Sequence, residues 1–438
     1  MKNWLPHNLP YKRLRPLNQI RLKFSPPAVL ALGFMALIAL GSLLLLLPVA
    51  TTAPLTPLQA LFTATSAVTV TGLVVVDTGS HFTLFGQLVI AGLIQAGGLG
   101  FMTFAVVAVI SLGTRIGLTQ QKIAQEAMNQ TSLAQVAQTA KAVLLYSLVI
   151  ELIGVVLLTL VWFSELGFAS ALYHALFYTI SAFNNAGFAL YSDSLMGFAR
   201  DSWIIIPIFL GAFMGSLGFP VLAEGWDRIK NSTNKFLGRK YVFMPVQWSL
   251  NSRIILWASL VLVVAGTAYV AILEWNNPRT LGPLDPITKI LDSIFAAIMP
   301  RTAGFNAQDI TAMHPSTWLG MDVLMFIGGG SASTAGGIKI GTAVVLAYIV
   351  FTEIRGETAV NIGNRRLPRS IQRQALTIIS LTSLAVLSAT IILRLTTDFT
   401  LDRILFEVIS ATCTVGLSTG ITAELPDSGK IMLAVLMF

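Results

Sequence analysis

The chain has 438 residues, of which 55% are hydrophobic and only 11% are charged, and its mean hydropathy is +0.75. This composition leaves too little polar surface to cover a water-soluble domain, so it indicates a membrane protein. The 28 basic residues exceed the 20 acidic residues, but they lie in short blocks between apolar runs. That pattern is typical of the charges that orient a membrane protein, and it argues against a nucleic-acid-binding face.

The sequence offers no set of metal ligands or paired thiols. Its single cysteine is Cys413, and its four histidines are scattered along the chain. A disulfide framework is therefore excluded, and neither a catalytic metal nor a covalently bound cofactor is expected.

Seven apolar runs, taken in chain order, are long enough to cross about 30 Å of hydrocarbon. They lie at 26–50, 84–112, 139–163, 202–223, 252–274, 318–352 and 374–395. The segment at 1–25 is polar and basic, and the run that follows it is longer than the core of a signal peptide. We therefore expect a retained first span.

Four shorter, half-polar stretches lie between these runs and resemble one another. They read ALFTATSAVTVTGL (60–73), ALFYTISAFNNAGF (175–188), SIFAAIMPRTAGF (293–305) and ILFEVISATCTVGL (404–417). Their glycines, Gly72, Gly187, Gly304 and Gly416, recur about every 115 residues, which indicates internal duplication.

Each stretch has about ten helix-compatible residues before its glycine, too few for a span. A re-entrant half-helix followed by extended backbone fits this length, and such backbone survives at membrane depth only inside protein or beside a water-filled cavity. We predict an all-α integral membrane protein with four tandem repeats of helix, re-entrant pore loop and helix, arranged pseudo-fourfold around one ion pore. The predicted units are a basic cytoplasmic N-terminus at 1–25 and repeats at 26–113, 139–223, 252–352 and 371–438.

The matched glycines predict an ion filter made of backbone. Carbonyl oxygens can replace the water around a dehydrated monovalent cation, and glycine permits the extended conformation that aims them at one axis. A lone glycine would more simply serve close helix packing, but four at matched positions favour the filter. The predicted K⁺-binding residues, acting largely through their backbone, are Val70, Thr71, Gly72, Asn185, Ala186, Gly187, Thr302, Ala303, Gly304, Thr414, Val415 and Gly416.

Charge predicts the orientation. The segments 1–25, 114–141, 224–253 and 353–373 carry most of the 28 basic residues, whereas acids such as Asp77, Asp193 and Asp285 lie in the alternate segments. The chain is therefore expected to be a multi-pass protein with a cytoplasmic N-terminus, and its pore loops enter from outside. An acidic outer mouth would also concentrate cations.

Several short motifs carry a resemblance over nearly the whole chain. They are TVTGL, NNAGF, RTAGF, TVGLSTG, IQAGGLGFMTF (94–104), GSLGFPVL (215–222) and GGGSASTAGGIKI (328–340). The sequence resembles the Trk/Ktr/HKT superfamily of potassium transporters, and most of all the pore-forming Ktr subunit. Relatives that admit sodium often have serine at the first filter glycine, so Gly72 implies a preference for potassium.

The resemblance also implies a gate and partners. In the superfamily, a broken helix below the filter obstructs the pore, and here that role falls on Gly328, Gly329, Gly330, Ser331, Ser333, Thr334, Gly336, Gly337 and Lys339. Lys339 either places a charge in the cation path or reaches the inner interface. Ktr-type relatives are homodimers in the plasma membrane, the bacterial inner membrane, on a cytoplasmic ring of nucleotide-binding regulatory subunits, and some depend on Na⁺.

Other interpretations of the residues remain open at this point. An intramembrane enzyme lacks support because the sequence contains no Walker A, HExxH or suitably placed GxSxG motif. A potassium-binding subunit of an ATP-driven pump would share the ancestry. The sequence does not separate a gated channel from an ion-coupled carrier that uses Na⁺.

Two residues and the fourth repeat have two interpretations each. Glu151, inside an apolar run, either pairs within the bundle or couples ion movement. Arg301 either tunes the outer mouth electrostatically or, as we expect, pairs with Asp292, Asp309 or Glu407. The sequence stops at Phe438 shortly after the fourth filter stretch, so the final span of the fourth repeat is expected to be truncated or incomplete.

Overall fold

A computed structural model describes residues 26–100, 133–236, 248–357, 359–362 and 365–438. The predictions for 1–25, for the inner part of the first repeat after residue 100 and for 237–247 lie outside these ranges. Within the described ranges the helices are α1 (Pro26–Leu45), α2 (Pro57–Val68), α3 (Thr78–His81), α4 (Leu84–Gly98), α5 (Leu133–Phe183), α6 (Ser202–Leu217), α7 (Phe219–Phe236), α8 (Leu250–Glu274), α9 (Pro286–Ile298), α10 (Pro315–Phe326), α11 (Ile340–Ile354), α12 (Arg369–Thr396), α13 (Leu401–Thr412) and α14 (Asp427–Met437). A small hairpin pairs β1 (Asn361–Ile362) with β2 (Arg365–Arg366) in antiparallel register.

The long helices have the length and composition of membrane spans. Within the described residues, four helices are long and apolar enough to cross a bilayer, or five if the bent pair α6 and α7 makes one span. Their outer faces carry large apolar side chains that are mostly exposed, such as Leu160 at 70%, Ile272 at 77% and Leu395 at 81%. Such faces are stable against lipid and not against water, so this is a multi-pass membrane protein.

Four short helices lie inside the bundle instead of crossing it. The helices α2, α9 and α13 have 12, 13 and 12 residues, which at 1.5 Å per residue is about 18–20 Å, well short of a bilayer. The fourth is the end of α5, after a break at Gly167, where φ is 73°. Each buries at least one phenylalanine almost completely, and these include Phe62, Phe177, Phe295 and Phe406.

Side-chain caps fix where these half-helices begin. Thr56 and Gln59 form a reciprocal capping box at the start of α2. Asp285 caps α9, where the hydroxyl and the backbone N–H of Thr288 hold the pKa of the Asp285 carboxyl below its ordinary value. A carboxylate at this end is also favoured by the helix dipole, whose negative end then points into the bundle.

The half-helices are linked by the helices that follow them. The helix α4 packs on α5, α6 packs on α9, α10 packs on α13, and α14 packs on α2. The last of these contacts joins the end of the chain to its beginning. The four helix, half-helix and helix units therefore contact one another in a closed order.

The run at 202–223 is not one straight span. It divides at Gly218 into α6 and α7, and the chain direction bends by 106° between the two helices. Gly218 has a φ of 94°, and Pro220 in the first turn of α7 has no N–H to continue the previous helix. Hydropathy could not show this bend, because both helices are apolar at the junction.

The run at 318–352 is interrupted where its glycines predicted an interruption. The helix α10 ends at Phe326 and α11 begins at Ile340. A single parallel bridge between Ile327 and Ile338 brings the two ends of the intervening segment together. We call residues 327–339 the glycine-rich segment.

We predict that Gly218→Ala lowers the thermal unfolding temperature of the purified protein. Its φ of 94° disfavours an L side chain, and a methyl group there would overlap the carbonyl oxygen of Ser331. Left-handed backbone alone costs a non-glycine residue about 1–2 kcal/mol.

The matched control is Gly92→Ala in α4, where a methyl group would meet nothing within 4 Å. Thermal unfolding in detergent compares the two variants. Equal unfolding temperatures for Gly218→Ala and the native chain would contradict the strain assigned to this bend.

Candidate functional site

The four half-helices end in the same unusual backbone conformation. In each stretch a non-glycine residue is left-handed and a left-handed glycine follows two positions later. Left-handed non-glycine residues are uncommon, and their recurrence at matched positions indicates a functional constraint. The pairs, with their φ angles, are Val70 (57°) and Gly72 (91°), Asn185 (59°) and Gly187 (69°), Thr302 (78°) and Gly304 (72°), and Thr414 (51°) and Gly416 (93°).

The four glycines face one another's backbone around a closed ring. A methyl group placed on Gly72 would overlap the carbonyl oxygen of Ala186, and one on Gly187 would lie 3.1 Å from that of Ala303. The pattern continues: a methyl on Gly304 would overlap the carbonyl oxygen of Val415, and one on Gly416 would overlap that of Thr71. The structure therefore brings all twelve predicted filter residues into one cluster, where each glycine lies against the carbonyl that precedes the next glycine.

Hydrogen bonds to the half-helices hold this ring. The backbone N–H groups of Thr71, Ala186 and Val415 donate to the carbonyl oxygens of Ser66, Ser181 and Ser410 at 2.8, 2.7 and 2.8 Å. In the third stretch, the N–H of Gly304 donates to the carbonyl oxygen of Met299 at 3.2 Å. These bonds satisfy the N–H groups of the ring inside the bundle, where no water is at hand.

Two serine side chains add a second anchor that the sequence interpretation missed. The hydroxyl of Ser66 accepts a hydrogen bond from the N–H of Gly72 at 3.0 Å, and that of Ser410 accepts one from Gly416 at 3.1 Å. Both serines are fully buried. The signal was present, since serine stands six positions before the glycine in three of the four stretches.

The glycine-rich segment lies against the break between α6 and α7. The N–H of Gly330 donates to the carbonyl oxygen of Ser216 at 2.7 Å, and the N–H of Phe219 donates to that of Ala332 at 3.0 Å. Its two ends are tied together, since the N–H of Gly328 donates to the carbonyl oxygen of Ile338 at 3.0 Å. The segment is therefore a compact loop fixed to its neighbours.

The same segment contacts two of the filter stretches. The Thr334 hydroxyl donates to the carbonyl oxygen of Phe183 at 3.0 Å and lies 2.7 Å from the side-chain amide of Asn185. A methyl group on Gly336 would lie 2.7 Å from the carbonyl oxygen of Cys413. The predicted gate residues thus lie beside the first of the predicted filter residues in the second and fourth stretches.

The other face of the ring opens into a cavity of about 340 Å³. All four glycines line it, together with the acidic residues Asp77 and Asp309. The Asp77 carboxylate accepts hydrogen bonds from the N–H and the hydroxyl of Ser80, both at 2.6 Å, and so caps the short helix α3. A carboxylate-lined mouth raises the local concentration of cations.

Comparison with known proteins identifies the family. The model of the TrkH family, described as cation transport protein, matches residues 28–438. The chain belongs to this family. It is 44% identical over 418 residues to the Ktr system potassium uptake protein B of Bacillus subtilis, covering 95% of this chain and 91% of the relative. It is 31% identical over 428 residues to the potassium/sodium uptake protein NtpJ of Enterococcus hirae, covering 96% and 91%.

A solved structure supports the fold of this cation transport family member. The potassium transporter TrkH from Vibrio parahaemolyticus matches with a TM-score of 0.72 and 18% sequence identity. The match covers 95% of this chain and 83% of that one. The family and its relatives are described by transport and not by an enzymatic reaction.

The expected ion pair of Arg301 is not formed in the part of this family member that the structure describes. Arg301 is fully buried, and its Nη2 donates to the hydroxyl of Ser259 in α8 at 3.2 Å. Asp292 instead accepts from the side-chain amide of Gln308 at 2.5 Å, and Glu407 accepts from the hydroxyls of Ser418 and Thr422. The guanidinium lies at the inner end of its half-helix, away from these acids, which is why spacing in sequence misled the prediction.

Lys339 turns back onto the glycine-rich segment. Its Nζ donates to the carbonyl oxygen of Ala335, four residues earlier in the chain. A charge in the cation path stays a prediction.

We predict that Ser410→Ala lowers the free energy of unfolding by about 1–2 kcal/mol, because it leaves the buried N–H of Gly416 without its side-chain acceptor. Thermal or denaturant unfolding in detergent measures this change. Ser42→Ala is the control, since the Ser42 hydroxyl donates only to a carbonyl of its own helix, that of Ile38 at 2.8 Å. A loss no larger than that of the control would show that the serine anchor is unimportant.

Proposed function

We propose that the chain is the membrane-spanning subunit of a potassium uptake system and passes K⁺ through the ring of backbone carbonyls. The observation that carries this proposal is the closed order in which Gly72, Gly187, Gly304 and Gly416 each face the carbonyl preceding the next glycine. Carbonyl dipoles replace the ion's hydration without a fixed charge that would trap it. Two relatives at 44% and 38% identity are named potassium uptake proteins, which supports the choice of ion.

In this proposal the four repeats stand pseudo-fourfold around one pore. The half-helices direct the negative ends of their dipoles at the ring, and this stabilises a cation there. The pore loops enter from outside, so the acidic mouth with Asp77 and Asp309 is extracellular and the N-terminus is cytoplasmic. K⁺ is the transported ion and needs no cofactor bound by the chain.

The glycine-rich segment is the proposed gate. Its contacts with Phe183, Asn185 and Cys413 hold it at the inner end of the filter, where it would obstruct an ion that has passed the ring. The bonds from Thr334 stabilise the closed position. Glycine permits the segment to change conformation at small steric cost.

The proposal extends to the assembly that the family resemblance implies. The subunit would form a homodimer in the lipid of the bacterial plasma membrane, on a cytoplasmic ring of nucleotide-binding regulatory subunits. Na⁺ is the candidate coupling or activating ion, because one relative is named a potassium/sodium uptake protein. Potassium uptake by cells that lack their own uptake systems, measured with and without Na⁺, tests the transport function directly.

We predict that Gly72→Ser reduces the preference for K⁺ over Na⁺. The added side chain would overlap the carbonyl oxygen of Ala186 and so displace one of the ring oxygens. The ratio of K⁺ to Na⁺ flux in proteoliposomes measures the change. Gly92→Ser, in open space on α4, is the control; an unchanged ratio in Gly72→Ser would count against the carbonyl ring.

Removing residues 330–336 should raise K⁺ flux several-fold if the segment obstructs the pore. Thr334→Val should act in the same direction, because it removes hydrogen bonds that contribute about 0.5–1.5 kcal/mol each to the closed position. Thr334→Ser keeps the hydroxyl and should retain native flux. Native flux in the deletion variant, at equal protein in the membrane, would rule out this gate.

A further inference from the structure

Three buried polar side chains form a chain that leads from a membrane-spanning helix to the second filter stretch. The side-chain amide of Gln95 in α4 donates to both carboxylate oxygens of Glu151 in α5, at 2.9 and 3.2 Å. The amide of Asn184 donates to the oxygen of Gln95 at 2.7 Å and, at 3.5 Å, to one carboxylate oxygen of Glu151 itself. It also donates to the carbonyl oxygen of Ile180 at 2.9 Å, at the end of the same half-helix.

The buried position of the Glu151 carboxyl group is energetically unfavourable. Only 8% of it is exposed, and none of the basic residues in the described ranges makes an ion pair with it. Its described partners are neutral amides. A carboxyl group inside the membrane destabilises the span, so its presence points to a role other than packing.

Asn184 links the Glu151 network to the second filter stretch. It directly precedes Asn185, the left-handed residue of the second stretch, and it is fully buried. The helix α4 also approaches Asn184 so closely that a methyl group on Gly98, one turn after Gln95, would lie 2.7 Å from Cβ of Asn184. The asparagine is therefore packed against Gly98 and hydrogen-bonded to Gln95 on the same helix.

The equivalent position in the other three stretches is supported differently. Thr69 donates to the carbonyl oxygen of Thr65 in its own half-helix at 2.8 Å. Arg301 reaches the hydroxyl of Ser259, and Cys413 is buried among apolar side chains. Among the described residues, only the one at this position in the second stretch, Asn184, is hydrogen-bonded to a network that includes a carboxyl group of a membrane span.

We propose that Glu151 is a positioning residue for the filter. Directly and through Gln95 it fixes Asn184, which in turn sets the position of the Ala186 carbonyl two residues later, and this sharpens the preference for K⁺ over Na⁺. The inference rests on the proposed carbonyl filter. It assigns Glu151 no contact with the ion.

The test is the ratio of K⁺ to Na⁺ flux for the full chain in proteoliposomes. Glu151→Leu removes the acceptor for Gln95 and should lower the ratio about tenfold, equivalent to about 1.4 kcal/mol. Gln95→Leu should lower it by a similar factor. The effect of the double variant should be smaller than the sum of the two single effects, because both residues act on Asn184 within one hydrogen-bonded network.

Matched variants separate positioning from general damage. Ser147→Ala lies one turn earlier on the same helix, is also buried, and removes only a bond to the carbonyl oxygen of Val143, so the ratio should not change. Glu151→Gln retains a hydrogen-bonding partner and should keep most of the preference. Gly98→Ala would displace Asn184 by direct overlap and should lower the ratio as Glu151→Leu does.

A native ratio in Glu151→Leu overturns the inference, as do independent, additive effects of Glu151→Leu and Gln95→Leu. If Glu151→Leu fails to reach the membrane, Gln95→Leu and Gly98→Ala decide, and native ratios in both overturn it. A native chain without any K⁺ preference would instead refute the filter itself. The two failures are thus distinguishable.

Discussion

Four backbone segments approach one another too closely to leave space for a side chain, and most of the structure follows from this approach. The ring exists only if Gly72, Gly187, Gly304 and Gly416 lack Cβ atoms and if the non-glycine residue two positions before each of them accepts strained backbone. Strain of this kind persists where the surroundings determine it fully. Here the surroundings are the buried half-helices, whose serine carbonyls and hydroxyls bind the N–H groups of the ring.

A second constraint is that backbone inside a membrane needs a partner for each N–H and C=O group. The chain meets it by placing two helix breaks against each other. At the turn between α6 and α7, the carbonyl oxygen of Ser216 and the N–H of Phe219 form hydrogen bonds with the backbone of the glycine-rich segment. Neither break would be stable alone, so the bend at Gly218 and the loop at 327–339 are one structural unit.

The sequence was informative where the physics is local. Apolar length located the spans, and the recurrence of glycine located the ring, because each is a property of a short window. It failed where the determinant is distant: the bend at Gly218 depends on a loop more than one hundred residues later, and the partner of Arg301 is Ser259 on a neighbouring helix. Glu151 stood out as unusual, but only the fold shows that Gln95 and Asn184 surround it.

The contact between α14 and α2 has a consequence for how the protein is made. It joins the last repeat to the first, so the ring has no complete wall until α14 has been synthesised. Contacts of such long range form late and slowly. Earlier half-helices must therefore wait in the bilayer or its insertion machinery with one flank uncovered.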